Sequence, residues 1–182
     1  MTKIGVIVGS LRKNSYSKGV AAAIIGGFSD TVEVTYIDIA DLPLYNQDYD
    51  QKSPQAYTEF RNTVASQDAF VFVTPEHNRS IPAALKNALD IASRPASKSV
   101  WDGKPALVAS ESLSGISGAL ANHILRQTLV FLNMPTLQQP ELYIGHVDQL
   151  TDANGQIVNQ DTRDFLANSG QLFLQFADKF IK

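Results

Sequence analysis

Short apolar runs alternate with helix-like segments along this chain, and this alternation limits the fold more than any other feature. The runs are too short for helices and are rich in β-branched residues, which favours strands. They occupy residues 4–8, 32–39, 69–73 and 106–110, with a weaker run at 136–144. Strands and helices in strict alternation produce a parallel sheet with helices on both faces, because crossover connections are right-handed.

The segments between these runs carry apolar residues at helical spacing. An Ala-rich helix is predicted at 18–28, and Ser53 with Pro54 predicts an N-cap and first turn of the second helix. A third helix starts near Pro82, with Asn87 away from its apolar side, and a fourth spans about 119–133. The predicted buried positions are Tyr57, Phe60, Val64, Leu85, Ala88, Leu89, Ala92, Ile124, Leu125, Leu129, Leu132, Phe165, Leu172, Phe173, Phe176 and Phe180.

Five strands in this arrangement suit an α/β, flavodoxin-like three-layer sandwich with a parallel sheet of order 2-1-3-4-5. A length of 182 residues fits a single domain over residues 1–182. Ligands of such sheets bind beyond the carboxyl ends of the strands, at the switch point between strands 1 and 3. The polar loops after strands 1, 3 and 4 are therefore expected to meet at one site.

The loop at residues 9–17, between the first strand and the first helix, has the composition of an anion site. It holds Ser10, Arg12, Ser15 and Ser17 but a single glycine, so it is neither a dinucleotide fingerprint nor a Walker A loop. Free N–H groups at the helix start, the hydroxyls and one guanidinium suit a phosphate monoester. The alternative from the residues alone is that Ser15 or Ser17 merely caps the helix.

Composition removes several classes of function. A net charge of −3 and a pI of about 5.5 argue against a nucleic-acid partner. The absence of cysteine excludes thiol chemistry and cysteine-based metal sites. With no apolar leader or membrane-length run, a cytoplasmic protein without a membrane partner is expected.

Two stretches, at residues 9–15 and 74–90, resemble the NAD(P)H-dependent FMN reductase family of flavodoxin-like enzymes, which includes quinone, chromate and azo-dye reductases. A weaker match covers 42–45 with Asp48. Two positions depart from the family pattern. His77 stands where a tyrosine is usual, and Ser117-Gly118 replaces a Gly-Gly pair without the arginine that follows it in the family.

The resemblance implies FMN and NAD(P)H as cofactors. By this resemblance, the FMN phosphate is bound by Ser10, Arg12, Ser15 and Ser17, and the isoalloxazine ring is lined by the loop after strand 3. The full set of expected cofactor-binding residues is Ser10, Arg12, Ser15, Tyr16, Ser17, Pro75, Glu76, His77, Asn78, Ser80, Ser112, Ser114 and Gly115. His77 would either set its ring beside the flavin or point away, so that only its backbone N–H meets the flavin.

No catalytic side chain is expected, because hydride passes directly between nicotinamide C4 and flavin N5. No metal is expected either, since the three histidines are scattered over different elements. The implied function is an FMN-dependent NAD(P)H oxidoreductase whose small acceptor is a quinone, free flavin, azo compound or chromate. The alternatives are a flavodoxin-type FMN electron carrier without its own NAD(P)H oxidation, and an interaction module that has lost FMN.

A homodimer or homotetramer is also expected. The segment at 41–50 is long and aromatic for a loop, and long ordered loops are often functional. In the resembled family this region borders the flavin of a neighbouring subunit. The helix at 82–93 and Trp101 are the other expected contacts between subunits.

Overall fold

A five-stranded parallel sheet forms the centre of the molecule in the computed structural model, which describes residues 1–181. The strands are β1 (Thr2–Val8), β2 (Val32–Tyr36), β3 (Ala69–Pro75), β4 (Ala106–Glu111) and β5 (Leu142–Ile144). Their spatial order is β2-β1-β3-β4-β5, and every neighbouring pair is parallel. The predicted fold class and strand order are confirmed.

Helices cover both faces of this sheet, which makes the three layers. They are α1 (Tyr16–Ile25), α2 (Gln55–Ala65), α3 (Ala83–Ala92), α4 (Ala119–Phe131) and α5 (Gln160–Ala177). One apolar cluster joins α2, α3 and α4 to the sheet, and a second joins α1 and α5 to the opposite face. All seven residues of β3 are buried, because this central strand is covered on both sides.

The predicted apolar stripe of α5 is confirmed at Phe173, which is fully buried, and in part at Phe176, which is partly buried, but it is wrong at the other three positions. Phe165, Leu172 and Phe180 are each more than 40% exposed. The buried face instead consists of Leu166, Ser169, Gly170, Phe173 and Ala177. Small residues are needed there because α1 approaches so closely that a Cβ on Gly170 would overlap the carbonyl oxygen of Ile24.

Three smaller expectations also need correction. Pro54, not Ser53, is the N-cap of α2, and Ser53 instead donates its hydroxyl to the carbonyl of Tyr49. Ile124 is only partly buried. Trp101 is fully buried and donates its indole N–H to the carbonyl of Leu89, so it is not available as a subunit contact.

Within residues 1–181, no helix combines the length and the apolar character that crossing a bilayer would require.

Candidate functional site

A cavity of about 750 Å³ opens at the carboxyl edge of the sheet, where the loops after β1, β3 and β4 meet. The convergence follows from the positions of β1, β3 and β4 side by side in the sheet. The lining residues are Gly9, Ser10, Leu11, Arg12, Tyr16, Pro75, Glu76, His77, Pro82, Ala83, Ala84, Glu111, Ser112, Leu113 and Ser114.

The start of α1 carries a buried hydroxyl without a partner. Ser15 is the N-cap of α1, in an extended conformation, yet its side chain makes no capping hydrogen bond. It is 1% exposed, and its Oγ has no hydrogen-bond partner in the protein. The alternative that Ser15 serves only as a helix cap is therefore wrong, and the hydroxyl remains available to a ligand.

Arg12 and Tyr16 form one wall of the cavity. The guanidinium carbon of Arg12 lies 4.4 Å from the centre of the Tyr16 ring, a cation–π distance. Among the residues that the structure describes, no carboxylate forms an ion pair with Arg12. The positive charge thus lies against an aromatic ring and is not engaged in a salt bridge.

A glycine far along the chain supports this anion loop. Gly155 has φ +79°, and a Cβ there would lie 3.1 Å from the carbonyl oxygen of Ser15 and 3.2 Å from that of Asn14. A Cβ on Gly19 of α1 would in turn overlap the carbonyl of Gly155. The sequence predicts a turn at 152–155, but nothing in its pattern indicates that the turn packs beneath the loop.

The β3–α3 loop contains a two-residue hairpin. His77 and Ser80 exchange two backbone hydrogen bonds of 2.9 Å, and Asn78 and Arg79 between them have φ +50° and +67°. The N–H of His77 is therefore used within the loop. The side chain of His77 lines the cavity, whereas Asn78 and Ser80 do not.

Glu76 joins this loop to α4. One of its oxygens accepts hydrogen bonds from the N–H groups of Leu120 (3.1 Å) and Ala121 (3.3 Å). The other oxygen pairs with Arg79 at 3.1 Å. The N-cap residue of α4, Gly118, has no side chain to perform this role, so Glu76 supplies the cap from a different loop.

The β4–α4 loop contributes hydroxyls to the cavity. Ser112 and Ser114 line it, with their Oγ atoms 3.2 Å apart, while Gly115 lies outside the lining. Ser112 is fixed through its backbone, which donates to Ile144 and accepts from Val147.

Glu111, the last residue of β4, lines the cavity but was absent from the sequence prediction. It is 5% exposed and accepts a 2.6 Å hydrogen bond from the hydroxyl of Ser17. Burial raises the pKa of the Glu111 carboxyl, although the Ser17 hydrogen bond and the nearby Arg12 and His77 act in the opposite direction. The available signal in the sequence was its position directly after the apolar run at 106–110, which places Glu111 at the carboxyl edge of the sheet, beside Pro75 of β3.

The cavity thus brings together most of the residues expected from the sequence. Those in its lining are Ser10, Arg12, Tyr16, Pro75, Glu76, His77, Ser112 and Ser114, and those outside it are Ser15, Ser17, Asn78, Ser80 and Gly115. Ser15 and Ser17 are both buried at the start of α1, where Ser15 is the N-cap and Ser17 lies in the first turn.

The long segment at 41–50 is fastened to α3. Asn87, which is 8% exposed and was expected away from the packed side, accepts from the N–H of Tyr45 at 2.7 Å and donates to the carbonyl of Pro43. The Tyr45 hydroxyl accepts from Arg94 at 2.8 Å and donates to Asp50 at 3.1 Å. The segment is therefore an ordered part of the surface, held against α3.

Among residues 1–181, no group of three or more histidine, aspartate or glutamate side chains is placed to hold a metal ion.

Comparison with known proteins gives consistent matches over nearly the whole chain. Residues 2–149 match the family model described as NADPH-dependent FMN reductase. A quinone reductase of Pseudomonas putida is 47% identical over 97% of this chain and 91% of its own. A 2-hydroxy-1,4-benzoquinone reductase of a Burkholderia species is 44% identical over 90% of each chain. The solved structure of FerB, a flavoenzyme NAD(P)H:(acceptor) oxidoreductase of Paracoccus denitrificans, superposes with a TM-score of 0.90 at 31% identity, covering all of both chains.

Proposed function

Because this chain belongs to the NADPH-dependent FMN reductase family, we propose that its cavity holds FMN with the phosphate at the start of α1. The chain is an enzyme, an oxidoreductase that uses FMN and NAD(P)H. When bound, FMN would supply the redox chemistry that links NAD(P)H to the acceptor.

The observation that supports this placement best is the buried, unpartnered hydroxyl of Ser15. A buried hydroxyl without a hydrogen bond is unfavourable, and its place at the N-terminus of α1 is where an anion is stabilised. Arg12, with no protein carboxylate to pair with, adds a charge that can meet phosphate oxygens through two hydrogen bonds.

The remaining lining residues have roles that follow from their chemistry. Pro75, Pro82 and Ala84 offer an apolar surface against which a flat ring can lie, and the small side chain of Ala83 leaves room beside it. Glu76 holds the ring-facing loop to α4, and the hairpin at 77–80 keeps that loop in one shape. Ser112 and Ser114 offer hydroxyls to the polar ribityl chain.

We further propose that the acceptor is a quinone. The two relatives most similar in the comparison above are named as quinone reductases, and a flat, uncharged acceptor suits a cavity with apolar walls. The carrier alternative is not favoured, because the named relatives are reductases. We also propose that the enzyme acts in the cytoplasm as a homo-oligomer, on the grounds given by the sequence.

The test begins with the visible absorbance spectrum of the purified protein, recorded before and after addition of NADPH without oxygen. We expect a bound-flavin spectrum that bleaches with NADPH and returns when a benzoquinone is added. A cavity that exposes one ring face admits one stacked partner at a time, so initial rates should give parallel double-reciprocal lines. Absence of flavin binding at micromolar concentrations, or intersecting lines, would contradict the proposal.

A further inference from the structure

A buried carboxylate lies in the wall of the proposed phosphate site. Glu111 is 5% exposed, lines the cavity and makes one side-chain hydrogen bond, accepted from the hydroxyl of Ser17 at 2.6 Å. Within the described chain it forms no ion pair. A second negative charge, that of a phosphate, would therefore enter a cavity that already contains an acid.

The groups that face Glu111 are few. Arg12, from the β1–α1 loop, and His77, from the β3–α3 loop, are the side chains that act on it electrostatically. Ser17 faces it from α1. Glu76 and Tyr16 line the same cavity, but the carboxylate of Glu76 is engaged by the N-terminus of α4. Burial already favours the protonated form of Glu111, and its pKa is raised for that reason.

The direction of the Ser17–Glu111 hydrogen bond depends on that proton. When Glu111 is ionised, the single hydroxyl hydrogen of Ser17 is committed to the carboxylate, and Ser17 has nothing to donate to a phosphate. When Glu111 is protonated, it donates to the Ser17 oxygen, and the Ser17 hydrogen is free. One proton thus removes a repulsive charge and supplies a donor.

We propose that Glu111 takes up a proton when the FMN phosphate binds, and that Ser17 then turns its hydroxyl hydrogen to the phosphate. This inference rests on the proposed function, because it requires the phosphate to lie at the start of α1. Linkage gives the sign: a group that gains a proton in the complex makes binding tighter as the pH falls. For one linked proton, the dissociation constant rises by up to about tenfold per pH unit.

The experiment measures the FMN dissociation constant of the full-length holoprotein by dilution, followed by the return of free-flavin fluorescence. It is repeated between about pH 6 and 9 for the wild type and for Glu111→Gln, whose amide imitates the protonated acid. We expect the FMN dissociation constant of the wild type to rise more steeply with pH than that of Glu111→Gln. At the upper end of the pH range, Glu111→Gln should bind FMN more tightly than the wild type does. Protons taken up by the phosphate itself contribute equally to both proteins.

Two controls separate the parts of the proposal. Riboflavin lacks the phosphate, so its dissociation constant should show the same slope in both proteins. Ser17→Ala should weaken FMN binding at low pH and leave it nearly unchanged at high pH. Where Glu111→Gln does not fold, Ser17→Ala decides, because its loss of FMN affinity should be confined to low pH, where Glu111 is protonated.

The possible contrary results distinguish failure of this inference from failure of the proposed function. Equal FMN slopes in the wild type and in Glu111→Gln would show that the proton goes elsewhere and would overturn the inference alone. An unchanged FMN affinity in Ser17→Ala at low pH would overturn the part assigned to Ser17. If neither the wild type nor the variant binds FMN at micromolar concentrations, the proposed function itself fails.

Discussion

Arg12 is the residue whose replacement should affect phosphate binding most directly. We expect Arg12→Ala to weaken FMN binding by about 1.5–3 kcal/mol, the range for a hydrogen bond to a charged group. Arg12→Lys should lose less, because it keeps the charge but not the planar fork. Fluorescence titration measures both.

Riboflavin is the matched control for Arg12. Its affinity should be the same in Arg12→Ala and the wild type, since it carries no phosphate. A loss of similar size for FMN and riboflavin would place Arg12 against the ring system and contradict the assignment.

The sequence predicted some residues of the cavity and missed others. Ser10, Arg12, Pro75 and His77 lie in short loops that follow strands, so topology alone brings them to one edge. Glu111 also lies at this edge of the sheet, but a charged residue at a strand end normally remains exposed to water. Its burial depends on α1 and on the loops from β1 and β3 closing over it, which are contacts between distant segments.

At the scale of the element, the cap that Glu76 provides to α4 should be measurable. We expect Glu76→Ala to lower the free energy of unfolding by about 1–2 kcal/mol, the range for loss of a helix N-cap partner. Urea denaturation measures this. Arg79→Ala removes only the exposed side of the ion pair and should cost less than about 1 kcal/mol. Equal effects would mean that the ion pair, not the helix cap, is what Glu76 contributes.

The contact of α1 with the turn at 152–155 should couple stability to cofactor binding. Gly19→Ala places a methyl group into the carbonyl of Gly155, so we expect it both to destabilise the fold and to weaken FMN binding. Gly26→Ala is the control, because Gly26 is also at α1, has an ordinary φ of −57° and leaves 3.3 Å to the nearest backbone atom. If Gly19→Ala binds FMN as tightly as Gly26→Ala does, the turn does not support the loop.

Elements differ in how well their sequences reveal them. The apolar run of β3 predicts a central strand because both of its faces are buried, which leaves no polar position in the middle of the run. The face of α5 is misread because large side chains dominate a hydrophobic pattern. Its closest packing is made instead by Gly170 and Ser169, which permit backbone contact with α1 and carry almost no hydrophobic signal.

At the scale of the whole molecule, we predict a homodimer or homotetramer. The segment at 41–50, which is hydrogen-bonded to α3, presents Leu44, 78% exposed, and Tyr49, 41% exposed, at the surface. Light scattering should give a mass of two or four times 19.8 kDa, and Leu44→Asp should lower it. Phe131→Asp, at an exposed apolar position on α4, is the control. A mass near 19.8 kDa for the wild type would contradict the prediction, and a loss confined to Phe131→Asp would move the interface to α4.

The backbone contact between Gly155 and residues 14–15 should also affect the kinetics of FMN association. A loop whose backbone packs against the buried Gly155 has little left to arrange when its ligand arrives. In stopped-flow mixing of FMN with protein stripped of flavin, we therefore expect one exponential phase whose rate rises linearly with FMN concentration. A rate that levels off would reveal a closing step after the encounter. In Gly19→Ala, whose added methyl group would push against Gly155, we expect the rate to level off.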